Sequence, residues 1–256
     1  IRDSIMSIFK YDDVEINYQE KGEGFPILMI APGGMRSTID FWEVAPWNPV
    51  DQLAEHYHVI TMDQRNAGSS KAPVTASDGW HVYTKDQLAL MDYLGIDKFH
   101  AVGMCIGGPY VAGLMEAAAQ RILSAVLFQP IGLNNNREAF YQMFDDWVTE
   151  CNIADHVKVS DDTWESFRSN MYDSDFLFNP KTDRTFIANC RTPMLVFSGN
   201  DLYHPDSIAK ELVSLAPNAS LVENWRDPEF HSDAQMALEE FLIENTLRAI
   251  NLSTSV

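Results

Sequence analysis

The stretch Gly103-Met104-Cys105-Ile106-Gly107-Gly108 places a cysteine between glycines two residues away on each side, directly after the apolar run Phe99–Met104. Glycines at that spacing mark a backbone that turns sharply with other atoms close by. An apolar strand before the turn and a helix-compatible segment after it make a strand–turn–helix unit with Cys105 at its apex. A nucleophile held on such a turn stands clear of the sheet. The amide of Ile106 and the positive end of the following helix would favour a thiolate there. The competing reading is a buried, inert cysteine, the usual fate of an unpaired thiol.

Working outward, the chain alternates short apolar runs with helical patterns. Strands are expected at Val14–Tyr18, Phe25–Ile30, His58–Met62, Phe99–Met104, Leu123–Phe128, Pro193–Ser198 and Ser220–Glu223. Most are continuous apolar runs, the signature of strands covered on both faces. Helices are expected at Asp86–Leu94, Ile106–Ala119, Ser207–Leu215 and Ala234–Ile250, with Pro109 tolerated in the first turn of the second. This alternation predicts an α/β fold with a mostly parallel sheet and helices on both faces. Residues 134–183 break the rhythm. They are rich in aromatics and acids and contain no buried-strand pattern, which predicts a helical insertion with a start near Asp162 and Glu165.

Ligands in such sheets bind beyond the carboxyl ends of the strands. Three other segments leave strands toward that edge. Ala31-Pro32-Gly33-Gly34-Met35 offers backbone N–H groups to a developing oxyanion, or is an ordinary turn. Gly199-Asn200-Asp201-Leu202-Tyr203-His204-Pro205 carries Asp201, an acid suited to orienting an imidazole; the adjacent Asp206 suits a helix cap better. Asp227-Pro228-Glu229-Phe230-His231 carries a histidine, the side chain whose ordinary pKa suits proton transfer at neutral pH. The order nucleophile, acid, histidine favours His231 as the base. His204, three residues after Asp201, is its competitor. Met35, Phe41, Trp42, Met104, Phe144 and Trp147 are read as an apolar pocket wall for substrate, or equally as core.

With these motifs on the page, the chain resembles an α/β-hydrolase-fold protein from Phe25 to the last helix. Asp63-Gln64-Arg65-Asn66-Ala67-Gly68-Ser69-Ser70 is similar to the family's D-x-R-G-x-G-x-S loop, with Asn66 in place of the first glycine. The resemblance implies a core at residues 1–133 and 184–256, an eight-stranded type of sheet and a helical cap at 134–183. It implies Cys105 as nucleophile, Asp201 as acid and His231 as base, with the amides of Ile106, Gly34 and Gly33 as oxyanion hole. Three features depart from the family's usual pattern. Cysteine replaces the usual serine, Ala31 stands where histidine is common, and His231 follows Phe230 instead of glycine. The implied activity is hydrolysis of a small ester, thioester or lactone. Acyl transfer, C–C hydrolysis or cofactor-free oxygenation on the same fold, and a non-catalytic ligand-binding relative, are the alternatives.

Composition bounds the partners. The 256 residues carry 18 basic and 37 acidic side chains, a net charge of −19, which repels nucleic acids and anionic membranes. No apolar run is long enough to span a bilayer, and IRDSIMSIFK has no signal-type apolar core. Cys105, Cys151 and Cys190 form neither a disulfide framework nor a zinc motif. The expectation is a cytoplasmic enzyme acting on a small molecule without metal or cofactor.

Overall fold

Eight strands pair into one sheet in a computed structural model that describes residues 5–153 and 156–253. They are β1 (Ile5–Tyr11), β2 (Val14–Lys21), β3 (Phe25–Ile30), β4 (Tyr57–Met62), β5 (Phe99–Met104), β6 (Ile122–Phe128), β7 (Met194–Phe197) and β8 (Ala219–Val222). Their order across the sheet is β1-β2-β4-β3-β5-β6-β7-β8. β1 and β2 pair antiparallel, as do β2 and β4, and every other pairing is parallel.

The helices are α1 (Val50–Leu53), α2 (Trp80–Tyr93), α3 (Gly107–Ala117), α4 (Arg137–Ile153), α5 (Asp161–Tyr172), α6 (Arg184–Asn189), α7 (Asp206–Leu215) and α8 (His231–Ser253). The two-residue period of β3 divides the core. Leu28 and Ile30 point into one cluster with Trp80, Leu114 and Ile208, from α2, α3 and α7. Ile27 and Met29 point into the other with Leu53, Leu238 and Leu242, from α1 and α8. All four β3 side chains are fully buried, which explains why the run FPILMI is uniformly apolar. Each such side chain contributes about 1.5–3 kcal/mol on leaving water.

β1 was not expected from the sequence. Its Met6 and Ile8 are half exposed, while Phe9 is buried with its ring 4.8 Å from that of Tyr93 and tilted against it. Apolar residues on both faces of an edge strand obscure the alternation that identifies a half-buried strand.

Between β6 and β7 the described chain is helical, comprising α4, α5 and α6. α5 starts two residues earlier than Asp162 and Glu165 suggested. Ser160 is the N-cap, and its hydroxyl accepts from the Thr163 amide. α4 and α5 meet through a ring cluster in which Phe144 lies 5.4 Å from Trp147 and 5.3 Å from Phe167. Residues 154 and 155 of the expected insertion lie outside the described residues, as does the side chain of Cys151.

The loop 63–70 is held by two buried carboxylates. Asp63 accepts from Asn17 Nδ2 (2.8 Å) and from the amides of Ile39 (2.9 Å) and Ser69 (3.0 Å). Asp86 on α2 makes a two-pronged ion pair with Arg65, each N···O distance 2.7 Å. Asn66 takes φ 57, a region asparagine tolerates better than most residues, so it fills the usual place of glycine without a break in the loop.

Candidate active site

Cys105 takes φ 60 at the junction of β5 and α3, a left-handed conformation that L-residues rarely adopt. Its surroundings over-determine that geometry. The Cys105 amide donates to Phe128 O (3.0 Å), and its carbonyl accepts from Gly108 N (3.0 Å) and Ile131 N (3.2 Å). The flanking glycines are required by close approach. A Cβ on Gly103 would lie 2.2 Å from Gly107 O, and one on Gly107 would lie 2.7 Å from Ile30 O. The turn therefore packs backbone against backbone and leaves the Cys105 side chain half-buried at the end of the sheet.

The imidazole beside Cys105 is His204. It belongs to the loop between β7 and α7, three residues after Asp201. Asp201 Oδ1 accepts from the backbone amides of Tyr203 (3.1 Å) and His204 (3.0 Å) and lies 2.7 Å from His204 Nδ1. One carboxylate oxygen thus folds the loop into an Asx-type turn and fixes the ring. The bond at Nδ1 holds a proton on the Asp201 side, so Nε2 is the nitrogen available to exchange a proton with the thiol. Nε2 is sealed from solvent without a hydrogen-bond partner at full bonding geometry among the described residues, and Cys105 is the group that, beside Asp201, acts on the ring. Asp201 Oδ2 accepts from Arg226 Nη1 (3.0 Å) in the loop after β8.

The electrostatics follow this geometry. Burial alone would raise the Cys105 pKa, but the His204 charge and hydrogen bond, with the N–H groups of Gly33 and Ile106, hold it below the ordinary thiol range. Burial alone would lower His204, and the Cys105 and Asp201 charges outweigh it and raise the imidazole above its usual value. Burial likewise opposes ionisation of Asp201, yet His204 and Arg226 bring its carboxyl below the usual range. A thiolate facing an imidazolium satisfies all three directions.

His231 is not at this centre. It is the first residue of α8; its Nε2 donates to Arg226 O (3.2 Å), and its ring stacks on Trp47 with centroids 6.2 Å apart. Chain order had favoured it, but order ranks His204 and His231 alike. The spacing Asp-x-x-His was the available signal, because an Asx turn brings residue i+3 back onto the carboxylate.

A cavity of about 520 Å³ opens above the sulfur. Gly33, Gly34, Cys105 and His204 line its floor, and Phe41, Ile131, Phe140 and Met143 supply apolar walls. Gly33 and Ile106 are the residues whose N–H groups reach the sulfur; Gly34 lines the cavity nearby. The expected wall residues Met35, Trp42, Met104, Phe144 and Trp147 are instead buried in the two core clusters. On α4 all four of Phe140, Met143, Phe144 and Trp147 share one face, at i, i+3, i+4 and i+7. Phe140 and Met143 reach the cavity, whereas Phe144 and Trp147 pack on Trp164 and Phe167 of α5. Gln129 and Arg226 also line the cavity and were missed by sequence reasoning. Among the described residues no cluster of three or more His, Cys, Asp or Glu is arranged to hold a metal ion, and no helix is long and apolar enough to cross a membrane.

Comparisons with known proteins agree with this architecture. The enol-lactonase from Burkholderia xenovorans superposes with a TM-score of 0.67 at 21% identity, covering 93% of this chain and all of that one. In sequence, the chain is 30% identical over 129 residues to the dihydrolipoyllysine-residue acetyltransferase component of the acetoin cleaving system of Cupriavidus necator, covering 48% of this chain and 32% of that protein. It is 29% identical over 122 residues to the 2-hydroxymuconate semialdehyde hydrolase of a Pseudomonas species, covering 47% and 42%. These matches span about a third to a half of the curated relatives' own length. The sequence profile described as alpha/beta hydrolase fold matches residues 26–189, well over half the chain, and together with the sheet order and the turn at Cys105 this shows that the protein belongs to the alpha/beta hydrolase fold family.

Proposed function

We propose that the protein hydrolyses a small ester, thioester or lactone through an acyl-enzyme on Cys105, with His204 as general base and Asp201 as its orienting acid. The observation that carries this reading is the 2.7 Å contact between His204 Nδ1 and Asp201 Oδ1, on a ring whose other charged neighbour is the Cys105 thiol. Relatives named as hydrolases support the reaction class.

The Cys105 thiolate attacks the substrate carbonyl, and the carbonyl π electrons move to oxygen. The N–H groups of Gly33 and Ile106 receive that oxyanion. Collapse of the tetrahedral intermediate expels the alcohol or thiol, which takes its proton from His204. Water then adds to the thioester while His204 accepts its proton, and a second collapse releases the acid and restores the thiolate. Residues 134–183 act as the cap: Phe140 and Met143 close an apolar chamber that suits a medium-sized acyl group and excludes water from the sulfur.

The test is intact-protein mass spectrometry after mixing with p-nitrophenyl acetate. Wild type acquires one acetyl group on Cys105. No adduct, together with unchanged hydrolysis by Cys105→Ala, would reject the mechanism.

A further inference from the structure

The Asx turn fixes His204 against Asp201, but the turn is local and does not by itself place the pair against Cys105. Contacts from other segments tie its loop down. Asn136 Nδ2, one residue before α4, donates to Leu202 O (2.8 Å). Trp225 Nε1, in the loop after β8, donates to Ser198 O (2.7 Å). The next residue, Arg226, reaches the carboxylate itself: its Nη1 donates to Asp201 Oδ2 (3.0 Å) and to Asn200 Oδ1.

Trp225 presets that reach. It is only 1% exposed, and its ring packs 5.4 Å from Phe128 and 5.7 Å from Phe197, at the ends of β6 and β7. Phe128 O also accepts from Cys105 N (3.0 Å), so the strand end that holds the nucleophile holds the residue before Arg226 as well. On Asp201 the two oxygens divide the work. Oδ1 serves the amides of Tyr203 and His204 and the His204 ring, while Oδ2 takes the guanidinium. The last torsion of an aspartate is broad, and a partner on each oxygen narrows it. The Arg226 and Asp201 side chains are 30% and 39% exposed, and an ion pair this open adds little to stability. Its consequence is alignment, and small displacements of a reacting group are costly in rate.

We infer that Arg226 is a positioning residue: by holding Asp201 Oδ2 it keeps the carboxylate, and through it the His204 ring, in register with Cys105. The inference rests on the acyl-hydrolase reading for the roles of Asp201 and His204. The charged groups that act on one another at this centre are Cys105, His204, Asp201 and Arg226.

The test compares wild type with Arg226→Met, Arg226→Lys, Asp201→Asn and Asp201→Asn/Arg226→Met. Two readings are taken: stopped-flow release of p-nitrophenol from p-nitrophenyl butyrate, and the pH dependence of Cys105 alkylation by iodoacetamide. Arg226→Met should melt within about 3 °C of wild type. It should acylate about tenfold or more slowly at saturating ester, with KM moved by less than about threefold. Its alkylation midpoint should move upward, because the imidazolium is held less firmly beside the thiol. Arg226→Lys should restore most of both readings, since one nitrogen makes both contacts and an ammonium can stand in for it. In the Asp201→Asn background, Arg226→Met should cost no more than about twofold, because the carboxylate it acts through is gone. Wild-type acylation and midpoint in Arg226→Met, a loss that lysine leaves in place, or equal losses with and without the carboxylate would overturn the assignment. Should the alkylation midpoints behave as stated while the ester leaves no acyl group on Cys105, the acyl-hydrolase reading fails and the role of Arg226 in holding the pair stands.

Discussion

His204 and Asp201 share one short loop, three residues apart, and the carboxylate that orients the imidazole also accepts both backbone amides that close the turn. Acid and base are thereby positioned by a single local motif. The loop after β8 contributes Arg226, an ion-pair partner for the acid, and leaves His231 against Trp47. The pair of histidines makes the first prediction sharp. His204→Ala should slow acylation of Cys105 by about 10³-fold or more, as expected when the base of such a triad is removed. His231→Ala should stay within about threefold of wild type, since its ring contacts Trp47 and the Arg226 carbonyl and makes no contact with Cys105 or Asp201 among those shown. Stopped-flow release of p-nitrophenol measures both, and the reverse pattern would reassign the base.

The second prediction concerns the thiol itself. Because His204 and the Gly33 and Ile106 amides outweigh burial, the Cys105 thiolate should form below the pH at which an ordinary thiol ionises. The rate of iodoacetamide alkylation against pH should therefore reach half-maximum below the free-cysteine value. In His204→Gln burial remains without the cation, and the midpoint should move upward past that value. A midpoint unchanged by the substitution would remove His204 as the cause.

Third, acid should destabilise the fold through His100. This residue is buried in β5, its Nδ1 2.8 Å from Ser124 Oγ and its Nε2 2.9 Å from Thr246 Oγ1, and burial lowers its pKa to about 4. The unfolded chain binds the proton near the ordinary value of 6.5, so between these limits the unfolded state holds more protons and stability falls as pH falls. No stability is lost to this group well above pH 6.5, and the loss reaches about 3 kcal/mol once pH has dropped to 4. Urea denaturation across this range should show wild type losing stability relative to His100→Gln. Parallel curves for the two proteins would refute it.

Fourth, the Arg65–Asp86 pair should matter through what its loss leaves behind. Both side chains are almost wholly buried, and Asp86 also accepts from Tyr11 Oη. Arg65→Met strands the Asp86 carboxylate in the core and should cost about 3–5 kcal/mol. Arg65→Met/Asp86→Leu should recover a substantial part of that loss, since apolar replacement of a whole buried pair is often tolerated. Chemical denaturation of the three proteins measures the difference, and equal stability of the single and double variants would contradict the account.

The sequence by itself determined the layered α/β architecture and the strand–turn–helix that carries Cys105. Buried strands such as Phe25–Ile30 declare themselves because both faces must be apolar, and the glycines at 103 and 107 declare the turn because backbone atoms occupy the space a Cβ would need. These are constraints between near neighbours, so they are written locally. The choice of base was not. His204 and His231 follow the same acid in the same order, and only the closing of an Asx turn against the end of β7 brings one of them to the sulfur. The cavity wall was equally beyond a linear reading. Phe140 and Phe144 are chemically identical and share one face of α4; both pack in the core, and only where α4 lies against the sheet end does Phe140 also line the cavity. Gln129 shows the same limit: a single polar residue after an apolar strand carries no pattern, and its burial beside Cys105 exists only once β5, β6 and β7 lie side by side.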